Sequence, residues 1–145
     1  MIRVAVRALI LDPQGRLLIV NAWPGGVSDL WTAPGGGADP HMSLPGNLIR
    51  EVHEETGLTI EVGAPAMVNE FHDPHGSFHQ VDVYFRCRVT AGELSEDWRD
   101  PEGVVVHRRW VSREELASLR VKPDSLARAA WDGGMIYDPL EPIIR

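Results

Sequence analysis

The residues best placed to do chemistry are three carboxylates crowded into one short stretch. Glu51, Glu54 and Glu55 lie within Arg50-Glu51-Val52-His53-Glu54-Glu55-Thr56-Gly57-Leu58. In an α-helix, at roughly 100° per residue, the three side chains fall on one face. Like charges held so close repel unless a cation neutralises them. Hard oxygen donors at this spacing suit Mg²⁺ or Mn²⁺ rather than Zn²⁺.

The segment that must carry them reads as a helix with both ends marked. Ser43 is placed to cap its start, Leu44 is the first helical position, and Gly57 supplies the left-handed residue that ends it. Leu44, Leu48, Val52 and Thr56 recur every four residues with Ile49 beside them, a packing stripe that anchors one side and leaves the acids open. Gly46 and Asn47 weaken the first turn. Just upstream, Pro34-Gly35-Gly36-Gly37 would be a flexible connector if it stood alone. Its place before the acidic helix points instead to a close approach of backbone to another group.

Strands are expected at 2–11, 16–21, 59–70, 78–90 and 104–111. The first two are joined by the turn Asp12-Pro13-Gln14-Gly15 into a hairpin. Residues 22–29 read as a loop, and Leu30–Ala33 as a short apolar segment. Residues 72–77 form a polar loop and 91–103 an acid-rich one. Ser112 and Glu115 have the spacing of a capping box that opens a helix to about Leu119, and a further helix is expected over 123–131. The stretch 132–145 holds too much Gly and Pro to continue it.

A chain of 145 residues suits one domain, 1–145, with a real core. It is 43% hydrophobic and 24% charged, with no apolar run near the ~20 residues of a membrane span, so no membrane partner is expected. The start alternates like a strand and lacks the apolar stretch of a secretory signal. A lone cysteine, Cys87, cannot form an internal disulfide, and a cytoplasmic location is expected. With 21 acidic against 14 basic residues, the net charge of −7 argues against nucleic acid as partner. A small anion is still accessible, because a bound metal inverts the local field.

These residues together resemble the box of the Nudix hydrolase family. Gly36 stands at its first position, and Arg50, Glu51, Val52, Glu54, Glu55, Gly57 and Leu58 fill its second half without a gap. Leu30-Trp31-Thr32-Ala33-Pro34-Gly35-Gly36 is similar to the family's lead-in. Arg109-Trp110-Val111 with Glu114-Glu115-Leu116 is similar to a later strand and helix. The resemblance implies an α/β/α sandwich around a mixed β-sheet. It also implies metal-dependent hydrolysis, by water attack at phosphorus, of a nucleoside diphosphate linked to another group. On that pattern Glu51, Glu54, Glu55 and the Gly35 carbonyl surround Mg²⁺ or Mn²⁺, with Glu55 the strongest single ligand, and one of the acids takes the proton of the attacking water. Gly36, Arg50 and Gly57 support the site. Glu102 is the further acid expected from a later loop, with Asp100 and Glu96 behind it.

The chain departs from the pattern at one place. The box glutamate is Met42 here, and the glycine usually before it is His41. That glutamate is understood as a partner of the box arginine, so Arg50 is expected to pair with Glu54 or Asp39 instead. The alternative function is a nucleotide-binding module that has lost catalysis, with Met42 as the first sign of decay.

Other residues are weighed against plainer roles. His72, His75 and His79 lack the spacing of a zinc motif, and His79 is a candidate for substrate contact. Trp23, beside a Gly-Pro-rich loop, is the candidate for stacking on a base, whereas Trp31 reads as core. Cys87 reads as packing. Pro74, sixteen residues after Leu58, resembles a feature of members that cleave ADP-ribose, although a turn proline needs no substrate to explain it. Nucleoside triphosphates, ADP-ribose or other nucleotide sugars, and dinucleoside polyphosphates are the substrate options, for a monomer or homodimer.

Overall fold

The structure is a computed structural model that describes residues 1–145. Its centre is a mixed six-stranded sheet in the order β4-β1-β6-β5-β8, with β9 also paired to β5. β1 (Arg3–Ile10) runs antiparallel to β4 (Gly35–Gly37) and parallel to β6 (His79–Ala91). β5 (Thr59–His72) is antiparallel to β6 and parallel to β8 (Ile136–Tyr137) and β9 (Glu141–Pro142). A second, antiparallel sheet holds β3 (Trp31–Thr32), β2 (Leu17–Asn21) and β7 (Arg108–Val111).

Helix α1 (Leu44–Thr56) covers one side. Leu48 and Val52 are fully buried there against Val6, Ala8 and Ile10 of β1, together with Ile60 and Phe85. Each such side chain contributes about 1.5–3 kcal/mol of burial. On the other side Leu9, Met67 and Tyr84 meet Leu116 of α2 (Arg113–Ala117) and Leu126 and Ala129 of α3 (Leu126–Trp131). The result is the expected α/β/α sandwich. Both cap expectations hold: the Ser43 hydroxyl accepts from the Gly46 amide, and Gly57 at φ 77° donates back to His53. The Ser112–Glu115 capping box is present as well. No helix is long and apolar enough to cross a membrane.

Three expectations are corrected. The strands around Asp12–Gly15 do not form a hairpin: both edges of β1 are taken by β4 and β6, so only Leu11 and Leu17 bridge and β2 leaves for the other sheet. Residues 104–107 are not strand, because Asn21 draws their backbone away. Its side-chain oxygen accepts from Val106 and His107 amides, and its amide group donates to the Val104 carbonyl. The helix expected from 123 begins at Leu126. Within 132–145 the helix does not continue, as expected, and β8 and β9 pair with the free edge of β5.

The triple glycine is no flexible connector either. It is strand β4, and each glycine makes room for a different group. A Cβ on Gly35 would collide with the Val6 carbonyl, one on Gly36 would stand 2.7 Å from the Glu51 carboxylate, and one on Gly37 would strike the Arg3 guanidinium. Gly35→Ala is therefore expected to cost about 3 kcal/mol or more, since backbone rather than a flexible side chain must yield. Urea denaturation measures it, and wild-type stability in this variant would mean that β4 can retreat from β1.

Candidate active site

Glu51 and Glu55 of helix α1 face β4 across a cleft of about 410 Å³. Gly35, Gly36, Arg50, Glu51, Glu55 and Glu102 all line it, so the structure brings together most of the residues singled out in the sequence. Glu55 is 6% exposed, and its carboxylate accepts the Gly35 amide at 3.1 Å. Burial pushes its carboxyl up to about 8, against the opposing pull of Arg7 and the Gly35 amide. The Glu51 carboxyl is also raised, first by burial, with Glu54 and Glu102 adding to the push and Arg50 and Arg7 opposing it. Both acids therefore sit where ionisation is unfavourable without a cation.

The three helix acids do not converge as a ready-made ligand group; no cluster of three or more acidic, His or Cys side chains forms. Each takes its own partner. Glu55 turns to the Gly35 amide and Glu51 lies over Gly36. Glu54 is held by Arg50 at 3.3 Å and is not in the cleft wall. One atom is left over, because Glu54 Oε2 is buried with no hydrogen-bond partner. That orphaned oxygen and the two desolvated carboxylates are all hard oxygen donors, the type a divalent cation such as Mg²⁺ takes.

Arg50 has both replacement partners. It meets Asp39 at 2.8 Å and Glu54 at 3.3 Å, with Glu51 at 3.4 Å. His41 adopts φ 67°, the left-handed conformation for which a glycine is the easy occupant. Met42 is exposed. Asn47, a weak helix former, is fully buried and ties the preceding loop down. Its oxygen accepts the Asp39 amide at 2.8 Å, and its amide donates to the Ser43 carbonyl at 2.9 Å and to that of Met42 at 3.3 Å.

The far end of α1 is braced by two residues that periodicity does not reveal. Trp98 Nε1 donates to the Glu54 carbonyl at 2.8 Å, and its ring lies against Gly57, where a Cβ would come within 2.9 Å. Arg108 donates to the carbonyls of Glu55 and Val105. Two carbonyls of the last turn, which a helix end cannot satisfy internally, thus gain partners.

The loop acids separate by role. Asp100 is buried and accepts the amides of Glu102 and Val105, so it shapes the loop. Asp100 and Glu102 both line the cleft, while Glu96 is exposed outside it. Trp23 lines a neighbouring cavity of about 440 Å³, with Arg145 over its ring at 4.6 Å. His79 lines neither cavity and stands beside His72, with Glu70 at 3.9 Å. Pro74 is exposed in the 73–76 turn. Cys87 is partly buried, and burial pushes its thiol up to about 12, as suits packing.

The NUDIX domain model matches residues 1–131. The chain belongs to the NUDIX family. Among curated relatives it is 29% identical over 128 residues to human nucleoside diphosphate-linked moiety X motif 6, covering 88% of this chain and 40% of that one. It is 33% identical over 91 residues to human diphosphoinositol polyphosphate phosphohydrolase 3-alpha, covering 63% of this chain and 52% of that one. The chain thus spans about half or less of the length of these relatives. An ADP-ribose pyrophosphatase from Streptococcus suis superposes with a TM-score of 0.68 at 22% identity, over 94% of this chain and 98% of that one. The family model and this superposition show the NUDIX family and fold.

Two stability measurements check this geometry. Asn47→Ala removes the side-chain partner of the Asp39 amide and of the Met42 carbonyl, while the Ser43 carbonyl keeps the residue-47 backbone amide, and is expected to cost about 1–3 kcal/mol in denaturant unfolding. The second follows the Glu55 carboxyl in metal-free protein, folded near 8 and unfolded near 4.5. Below pH 4.5 both states are protonated and the group contributes nothing. Between pH 4.5 and 8 the unfolded chain gives up a proton that the folded chain keeps, so stability falls as pH rises. Glu55→Gln is expected to flatten that part of the profile; an unchanged slope would remove the case for a desolvated Glu55.

Proposed function

We propose that the chain hydrolyses a nucleoside diphosphate linked to another group, with a divalent cation held by Glu51, Glu54, Glu55 and the Gly35 carbonyl. The observation that carries this reading is the pairing of two buried carboxylates with a side-chain-free strand across one cleft. When bound, Mg²⁺ or Mn²⁺ would neutralise the diphosphate, orient it and lower the pKa of water.

The chain's own residues supply the rest. Gly36 gives the Glu51 carboxylate room against the strand, and the Gly35 amide fixes Glu55 by a hydrogen bond. Arg50 steadies Glu54 and Glu51 from behind. Gly57 closes the helix that presents all three. Glu102 reaches the same cleft from the loop and is the candidate to accept the proton of the attacking water. Trp23 lines the cavity next to it and is assigned to the group beyond the diphosphate, whereas His79, outside both cavities, receives no substrate role.

ADP-ribose, other nucleotide sugars, nucleoside triphosphates and dinucleoside polyphosphates are the substrates to try first. A diphosphoinositol polyphosphate is added because a relative's name carries it. Phosphate or nucleotide release with Mg²⁺ is the test. Turnover by the wild type, lost by more than about 100-fold in Glu55→Gln with an unchanged fold, is expected. Full activity in Glu55→Gln would overturn the ligand assignment. Absence of turnover on every diphosphate, with nucleotide binding kept, would favour a binding module instead.

A further inference from the structure

The match to the NUDIX model ends at residue 131. Beyond it, five consecutive residues, Glu141 to Arg145, line the 440 Å³ cavity next to the acidic cleft, and they share its wall with Trp23, Phe71 and Phe78. A segment outside the matched domain therefore helps to enclose a space inside it.

The segment is fastened at both ends. At its start Glu141 and Pro142 pair with Phe71 and His72 at the edge of β5, and the Ile143 amide donates to the His72 carbonyl at 2.9 Å. Glu141 also accepts from Lys122 Nζ at 3.0 Å. At its far end the Ile144 carbonyl accepts from Trp23 Nε1 at 3.0 Å. The Arg145 carbonyl accepts from Arg120, whose guanidinium also meets Asp29 at 2.9 Å. Trp23 lies just after β2, and the Arg120 carbonyl accepts the Trp31 amide of β3 at 2.9 Å. The segment thus runs from the six-stranded sheet to the three-stranded one, with the cavity in between.

None of these fastenings is deep. No residue from Glu141 to Arg145 is buried, whereas α1 is anchored by Leu48 and Val52 in the core. Exposed hydrogen bonds and ion pairs hold a segment weakly, and segments held in this way open with less free energy than the core. The last fastening also occupies a surface that has another use. The Arg145 guanidinium lies over the Trp23 ring at 4.6 Å, a cation–π contact. A flat ring that stacks on Trp23 competes with Arg145 for it.

We propose that Glu141–Arg145 is a displaceable strap over the larger cavity, latched by Arg145 on Trp23, and that an aromatic group enters by taking the place of this latch. The inference rests on the assignment of Trp23 to the group beyond the diphosphate. Arg145 then determines specificity by opposing entry, since a group is admitted only when its contact with Trp23 outweighs that of the guanidinium. Ile143 and Ile144 move with it as the apolar part of the wall.

Indole hydrogen exchange reads the latch without any substrate. In isotope-labelled full-length protein the Trp23 indole signal is identified by its loss in Trp23→Phe, and its exchange reports the bond to the Ile144 carbonyl. Arg145→Ala is expected to speed that exchange about tenfold or more, with Arg145→Lys in between and the Val52 amide of α1 unchanged. Calorimetric titration with adenosine, an uncharged flat probe, is expected to show binding about threefold or more tighter in Arg145→Ala than in wild type. Unchanged indole exchange in Arg145→Ala, or adenosine binding that this variant leaves unchanged or weakens, overturns the inference. The expected pattern without hydrolysis of any diphosphate would leave the strap standing and refute the hydrolase reading. Hydrolysis together with unchanged indole exchange would do the reverse.

Discussion

Everything at the site depends on one close approach, that of the α1 carboxylate face to a strand without side chains. Glu51 can lie over β4 only because Gly36 has no Cβ, and Glu55 can reach the Gly35 amide only because β4 presses against β1. The approach takes both acids out of water, and desolvation disfavours their charge. The same contact that builds the site therefore works against its ionised form. A site of this kind is stable when a cation, or a proton in its absence, offsets the burial.

The rest of the molecule is arranged to hold that contact. Leu48 and Val52 fix the opposite face of α1 in the core. Asn47 and Arg50 tie the loop before the helix, where Met42 offers no carboxylate, while Trp98 and Arg108 take up its last carbonyls. Support that comes from one glutamate in the family's box is thus spread over Asp39, Asn47 and Glu54. Hydrogen bonds to charged groups carry more than neutral ones, so this substitution keeps a brace of comparable kind.

Much of this was legible in the sequence, and the losses have physical causes. The α1 helix, its caps and its acids followed from periodicity and from residue types with local effects. Arg50's pair with Glu54 follows from helical spacing, whereas Asp39, the other expected partner, reaches it from the preceding loop. The hairpin failed because local turn chemistry brings two strands together but does not say whether the edge of β1 is already taken. Asn21 and Asn47 were passed over since a lone Asn carries no pattern; each matters through a partner segment, 104–107 for Asn21 and the 39–43 loop for Asn47. Trp98 and Arg108 reach α1 over more than forty residues, a distance at which spacing says nothing. The three glycines were visible as a group, but which neighbour each admits required the sheet.

We propose that Glu51 and Glu55 in the cleft between α1 and β4 hold a divalent cation, with Glu54 beside the cleft. Titration of the protein with Mn²⁺, followed by the loss of the free-ion electron paramagnetic resonance signal, measures this without any substrate. Saturable binding to wild type, displaced by Mg²⁺ and weakened at least tenfold in Glu51→Gln and in Glu55→Gln, is the expected result. Mn²⁺ binding that is absent in wild type, or that both variants keep at wild-type strength, would contradict it.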